Sequence, residues 1–264
     1  MNSRLLRDHL GREIRLKGFP QRIVSLVPSI SEALVVLGRS PVGLTKFCPT
    51  VEGASVVGGT KQVHVHRVEA LKPDLILANK EENSLEIVQS VEHLAPVFVT
   101  EIRSLEDNQR MLEELGVMLG CEEAATRESL LLEPAILGFK AHWPIPVLYM
   151  IWREPWMFAG GDTFINEMLG RAGMENVFSD QDRYPQISLQ ELKDSRAEII
   201  LLSSEPFPFA QKHVNELKAA TGKDAILVDG SWFSWYGTRV SRIWPDLERW
   251  REKLESDLES GVKT

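Results

Sequence analysis

The sequence predicts an α/β chain in two halves, each built on a mainly parallel sheet, with one long helix joining them. Three observations carry this. Short apolar, β-branched runs alternate with helical patterns toward both ends of the chain. The alternation stops from Leu105 to about Ala141, where only helical patterns occur. The two halves then repeat the same order of elements.

After a polar N-terminal segment, "RIVSLV" (22–27) reads as a strand closed by Pro28. "SISEALVVLG" follows as a helix: Ser29 or Ser31 caps it, Glu32 sits in the first turn and Gly38 stops it. "PVGL" is a second short strand. A helix over 65–71, a turn at Pro73 and a strand from Leu75 to Ala78 come next. "SLEIVQSVEHLA" is helical and "PVFVT" is a strand. "SLEDNQRMLEELGVMLG" is one amphipathic helix ended by Gly120. "CEEAATRESLLLEPAILGFKAHW" reads as a second helix of about 20 residues, ~30 Å long, which Pro134 should kink. "IPVLYMI", "TFINEMLGRAG", "AEIILLSS", "FAQKHVNELKAA", "AILVDG" and a last helix over about 240–258 then resume the alternation. The expected division is residues 1–120, a bridging helix over 121–142, and residues 143–264.

"ISEALVVLGRSPVG" (30–43) aligns without a gap on "INEMLGRAGMENVF" (165–178), sharing Ile, Glu, Leu, Gly and Val. "PDLILANKE" (73–81) likewise lies over "AEIILLSSE" (197–205), setting Glu81 against Glu205. The shared element order makes this an internal duplication. A duplicated α/β pair places a cleft between the halves, where the carboxyl ends of parallel strands collect ligand-binding loops.

Composition narrows the function. The 264 residues are 43% hydrophobic and 26% charged, an ordinary globular balance. A formal net charge of −8 argues against sequence-independent binding to nucleic acid or anionic membranes. No apolar run approaches the ~18–20 residues of a membrane span, so no direct membrane insertion is expected. The opening "MNSRLLRDHLGREIRLKGFPQ" has no apolar region of the secretory type. Cys48 and Cys121 do not amount to a disulfide framework.

The loops after the strands carry the candidate residues: Pro28 and Ser29; Thr45 to Cys48, with Phe47; Asn79 to Glu82; Ser203 to Phe207. "IWREPWMFAGG" (151–161) should be an irregular loop, since Pro155 lacks an N–H and the double glycine breaks regular structure. It brings Trp152, Arg153 and Trp156, and "DGSWFSWYGTRV" brings Trp232, Phe233 and Trp235. Four of the seven tryptophans thus fall on two loops expected to open on one cleft. Flat aromatic walls suit a large planar ligand, oriented by indole N–H, Arg and Ser groups. Core packing is the competing reading for any one of them. Arg153 beside Glu154 is equally a local ion pair or a contact to a ligand carboxylate or amide.

"RIVSLVPSISEALVVLG", "PVGLTKF", "LKPDLILANKEEN", "MFAGGDTFINEMLGRAGMENVF" and "GSWFSWYGTRV" together resemble the substrate-binding proteins of ABC importers for cobalamin, iron-siderophores and haem. The resemblance is closest to the cobalamin-binding and helical-backbone metal receptor branches, and runs from about Asp8 to the last helix. It implies two Rossmann-like lobes bridged by one rigid helix, with a cobalt- or iron-containing chelate or corrinoid held between them. It implies no intrinsic cofactor, no resident metal and no catalytic residues, a monomer, and an ABC permease with its ATPase as partner. In that group a glutamate on each lobe docks onto permease arginines, and the matching positions are Glu81, or its neighbour Glu82, and Glu205. The resemblance implies a periplasmic or cell-surface location, whereas the missing signal leaves a cytoplasmic one open.

The alternative on the same fold is a cytoplasmic tetrapyrrole or metal-handling protein, chelatase-like or sequestering. Such chemistry needs imidazole and carboxylate groups that deliver a metal. Only "VHVH" (63–66) has that look, and at a helix start the spacing of His64 and His66 diverges.

Overall fold

The computed structural model describes residues 3–260. It divides into two compact units. The first runs through Leu132 and takes back Tyr236–Arg239; the second holds Glu133–Trp235 and the chain from Val240.

The first unit is organised by a five-stranded parallel sheet in the order Ser55–Val56, Gly43–Leu44, Ile23–Ser25, Leu75–Asn79, Val97–Thr100. Leu75–Asn79 is buried at every position, as a strand covered on both faces must be. Val24, Ile76, Ala78, Val97 and Val99 pack against Val68, Ile87, Val88 and Val91 of the covering helices. Leu105–Leu119 is the single amphipathic helix expected. Ser104 accepts the Asp107 N–H at its start, and Gly120 ends it with φ 67°, a left-handed geometry that suits a residue without a Cβ. Neither Ser29 nor Ser31 caps the helix Pro28–Val36: it is entered from Val27 with no side-chain cap bond, because Pro28, which lacks an N–H, already starts the helix and puts both serines inside it. The polar N-terminus carries structure of its own. Ser3–Arg7 and Glu13–Lys17 form an antiparallel hairpin, turned by the Asp8 carboxylate, which accepts the N–H groups of Leu10 and Arg12.

Residues 236–239 join this unit through specific bonds. Asn108 donates to the Gly237 carbonyl at 3.1 Å and accepts its N–H at 2.6 Å, and Arg239 grips Glu32 at 2.6 and 2.9 Å.

The expected continuous helix over 121–142 is two helices, Glu122–Leu130 and Glu133–Leu137. Pro134 lies in the first turn of the second. Having no N–H, it cannot bond the carbonyl of Leu130 four residues back, and the chain breaks at Leu131–Leu132 rather than kinking. Gly116 lets the first of these helices pack closely, since a Cβ there would meet Ala125 Cβ at 2.5 Å.

In the second unit Met174–Asn176, Ile145–Trp152, Ile199–Ser203 and Asp224–Val228 run parallel, and Met157–Phe158 returns antiparallel on Ile145–Trp152. The core gathers Leu148, Met150, Phe158, Phe178, Ile200, Leu202 and Leu217. "IWREPWMFAGG" is therefore not irregular throughout: it is a tight hairpin whose turn, 153–156, holds Pro155. The double glycine serves close approach. A Cβ on Gly160 would lie 2.2 Å from the Gln181 carbonyl oxygen, and one on Gly161 1.9 Å from that of Ser179. Among the described residues no helix is long and apolar enough to cross a membrane.

Candidate functional site

In each unit the loops leave the carboxyl ends of the parallel strands, so backbone direction alone gathers the candidate residues at one end of each sheet. In the first unit Pro28 and Ser29 open the helix Pro28–Val36 directly after the strand Ile23–Ser25, and both are buried. Ser29 Oγ accepts the Tyr236 N–H at 3.4 Å. Phe47 is 56% exposed, with the Lys46 ammonium 4.9 Å from its ring centre. Both cysteines are free thiols; Cys48 accepts a hydrogen bond from Ser31 Oγ at 3.1 Å.

Asn79, an expected ligand contact, has other work in the structure. It is 2% exposed. Its Oδ1 accepts the N–H groups of Glu81 at 2.9 Å and Glu82 at 3.2 Å, and its Nδ2 donates to Thr100 Oγ1 at 3.0 Å. Asn83 locks the same turn, accepting the Asn79 N–H at 3.0 Å and donating to the Thr60 carbonyl at 2.9 Å. The Lys61 ammonium caps it on the Glu81 carbonyl. The pair Glu81 and Glu82, each half-buried, is thereby presented by a fixed turn. Burial and the charges of Glu82 and Glu81 push the Tyr236 phenol well above its ordinary pKa, so it stays protonated beside them.

In the second unit Trp152 ends its strand 39% exposed and meets Phe207 edge-to-face at 5.6 Å. Arg153 stacks over the half-buried Trp156 at 5.3 Å, ion-pairs with Glu154, and donates to Glu216 at 2.8 Å. Arg153 thus forms the local ion pair, and with two carboxylates. Phe207 packs on Phe209 at 4.7 Å and on His213 at 5.4 Å. His213 is buried and accepts the Ala210 N–H; burial, then the charges of Lys212 and Arg153, lower its pKa and keep it neutral.

Trp232 is half-buried, edge-on to Trp250 at 6.0 Å. Phe233 corrects the expectation of a ligand-facing ring. It has no exposed surface and packs between Tyr149 at 5.2 Å and Trp250 at 6.3 Å, a core residue. Ser203 is fully buried too and acts structurally. It accepts from the Tyr149 phenol at 3.0 Å and from the Glu205 N–H at 3.3 Å, and donates to the Glu205 carbonyl at 2.5 Å. Burial raises the Tyr149 pKa far enough to keep that phenol a donor. The half-buried Glu205 turns its carboxylate to Ser234 Oγ at 2.9 Å and to the Trp235 indole N–H at 2.7 Å.

Phe207 closes the strand-end segment Ser203 to Phe207 that the sequence offers, whereas Ser234 and Gly230 are not among its candidate residues. Phe207 was legible as an aromatic after a strand end; the other two have no local signature. His64 and His66 hold their rings 5.9 Å apart, and among the described residues no group of three or more His, Cys, Asp or Glu could hold a metal ion. Two surface grooves of about 600 and 700 Å³ lie elsewhere, one beside Pro134–His142 and the last helix, the other beside Arg12–Arg15.

A vitamin B12-binding protein of Pectobacterium carotovorum is 23% identical to this chain over 235 residues, 84% of each chain. The periplasmic haem-binding protein RhuT from Roseiflexus sp. RS-1 superposes with a TM-score of 0.75 at 18% identity, covering 89% of this chain and 99% of that one. The periplasmic vitamin B12-binding protein BtuF of Vibrio cholerae gives a TM-score of 0.74 at 18% identity, over 90% and 98%. These likenesses show a shared α/β fold. Residues 23–232 match the periplasmic binding protein family as a whole. This chain belongs to the periplasmic binding protein family.

Proposed function

We propose that this chain is the substrate-binding component of an ABC importer, holding a metal chelate or corrinoid (cobalamin, haem or a ferric siderophore) against its strand-end loops. The observation that carries this is the aromatic surface there: exposed Phe47 beside Lys46, exposed Trp152 against half-buried Phe207, and half-buried Trp156 under Arg153. Large planar rings beside cationic groups stack on a macrocycle and steer its carboxylates or phosphates. Family membership and the names of its relatives support the same ligand class. They favour the receptor over the chelatase-like alternative.

In this reading the protein is a non-catalytic monomer working in the periplasm or at the cell surface. Glu81, Glu82 and Glu205 dock onto the permease, one set per unit. Carboxylates on strand-end loops suit arginine forks, which bind them with bidentate geometry and steer the approach.

Titration of the purified protein with cyanocobalamin, haemin and a ferric siderophore tests the ligand class by visible spectra and tryptophan quenching. One of the three should bind saturably, and Trp152→Ala should weaken it by about 1–3 kcal/mol, the scale of one buried aromatic contact. Binding by none of them, or unchanged affinity with a sharply lower Tm, overturns the assignment.

A further inference from the structure

Glu205 sits in a socket that surrounds both its backbone and its carboxylate. Ser203 Oγ bonds its N–H at 3.3 Å and its carbonyl at 2.5 Å. Beyond the next strand, Asp224–Val228, the loop returns and closes over the stem. A Cβ on Gly230 would lie 2.6 Å from Glu205 Cγ, 2.4 Å from Ser203 Oγ and 3.1 Å from the Glu205 nitrogen, so only glycine lets the loop come this near. The same loop then supplies two donors to one carboxylate oxygen, Ser234 Oγ at 2.9 Å and Trp235 Nε1 at 2.7 Å. Gly230 is itself tied back by its N–H on Ser204 Oγ at 2.9 Å. Both donors to the carboxylate come from the short helix Ser231–Ser234 or the residue after it.

We propose that Trp235 and Ser234 are positioning residues for the docking carboxylate Glu205, with Trp235 assigned to this socket rather than to the wall of the ligand site. A carboxylate on a rim loop otherwise samples several rotamers, and ordering it on docking costs side-chain entropy. Two donors aimed at one oxygen remove that cost in advance and leave the second oxygen for an arginine of the partner. The indole is suited to the task because its N–H donates and never accepts. The proposal rests on the docking reading of Glu205.

The test reads ATPase stimulation of a cobalamin, haem or siderophore importer from the source organism, its permease and ATPase reconstituted in nanodiscs. Each variant is titrated fully loaded with whichever of cyanocobalamin, haemin or ferric siderophore the protein binds, so that ligand affinity does not enter. Ser234→Ala and Trp235→Phe should each raise the half-stimulating concentration about tenfold, the scale of one hydrogen bond to a charged group, with the maximal rate kept. Ser234→Thr, which retains the hydroxyl, should restore it. Gly230→Ala should act in the same direction by displacing the stem. In ¹⁵N–¹H spectra the Trp235 indole signal should be slow to exchange and should move on Glu205→Gln. Unchanged half-stimulating concentrations in Ser234→Ala and Trp235→Phe, beside a Glu205→Lys variant that fails to stimulate, overturn the positioning role alone. A Glu205→Lys variant as active as wild type overturns the docking reading, and the positioning role with it. An indole signal that ignores Glu205→Gln shows that the socket does not form.

Discussion

The loops Asn79–Asn83 and Ser203–Phe207 occupy the same place in two copies of one topology. Each follows a strand paired on one side with the first long strand of its sheet and on the other with the next strand in sequence. Each begins with a buried polar residue, Asn79 or Ser203, that accepts the N–H of a glutamate two positions on. Beyond that they diverge. The first unit fixes the backbone with an amide mesh of Asn79, Asn83 and Thr100. The second reaches the carboxylate itself, through Ser234 and Trp235. The first offers two adjacent glutamates on a rigid turn, the second a single glutamate with a fixed head. The lesson is that a duplicated fold keeps the position of a charge while reinventing what holds it.

Charge reversal should separate the two loops most strongly. Glu205→Lys leaves no second glutamate in its loop and should weaken productive docking on the order of tenfold or more, whereas Glu81→Lys leaves Glu82 and should cost only about two- to threefold. Equal losses at the two sites would show that Glu82 takes no part. Next in size is Asn79→Ala, which strips partners from two loop amides and from Thr100. At about 1 kcal/mol for each bond, denaturant unfolding should show a loss of about 3 kcal/mol. Ser203→Ala should lose less, about 2 kcal/mol, most of it from leaving the buried Tyr149 hydroxyl unpartnered. If the serine variant is the weaker of the two proteins, the contrast between mesh and socket is misdrawn.

The smallest effect concerns the first unit alone. The His9 side chain is buried, which lowers its pKa, but the Glu114 hydrogen bond at 2.7 Å, the Glu101 carbonyl and the Glu114 charge outweigh burial and the opposing charge of Arg110. The net shift is upward from 6.5. A group whose folded pKa is raised contributes stability that is fully present below its unfolded value and is lost as pH rises through the folded one. Stability should therefore fall as pH climbs from below 6.5 through the raised value, and His9→Gln should flatten that slope. A wild-type stability that rises over this range would contradict the assignment.

Much of this was legible in the sequence. The alignment that set Glu81 over Glu205 also set the strand Leu75–Asn79 over Ile199–Ser203, end for end. Helix termini announced themselves through Ser104 and Gly120, because capping chemistry is local. What escaped was decided by partners distant in the chain. The hairpin Ser3–Arg7 with Glu13–Lys17 was hidden because its inner strand buries only Ile14 and Leu16, too few to stand out from a polar segment. Phe233 and Trp235 lie two residues apart on one loop, yet one ring faces the core and the other turns its N–H to Glu205. No sequence pattern within that loop separates them. Residues 236–239 fold with the first unit because of Asn108 and Glu32, far upstream.

The central claim is that this chain delivers a chelate or corrinoid to an importer by docking through carboxylates on both units. The most direct measurement is ATP-driven uptake of the bound ligand into proteoliposomes holding the permease and ATPase of the cognate importer. Wild type is run beside the triple variant Glu81→Lys, Glu82→Lys, Glu205→Lys, with ligand affinity measured on the same samples. The account predicts uptake that requires the wild-type protein and is abolished in the variant, while affinity is nearly unchanged because salt screens rim charges beyond about 10 Å. Uptake that proceeds equally without the protein, or equally well with the triple variant, would contradict it.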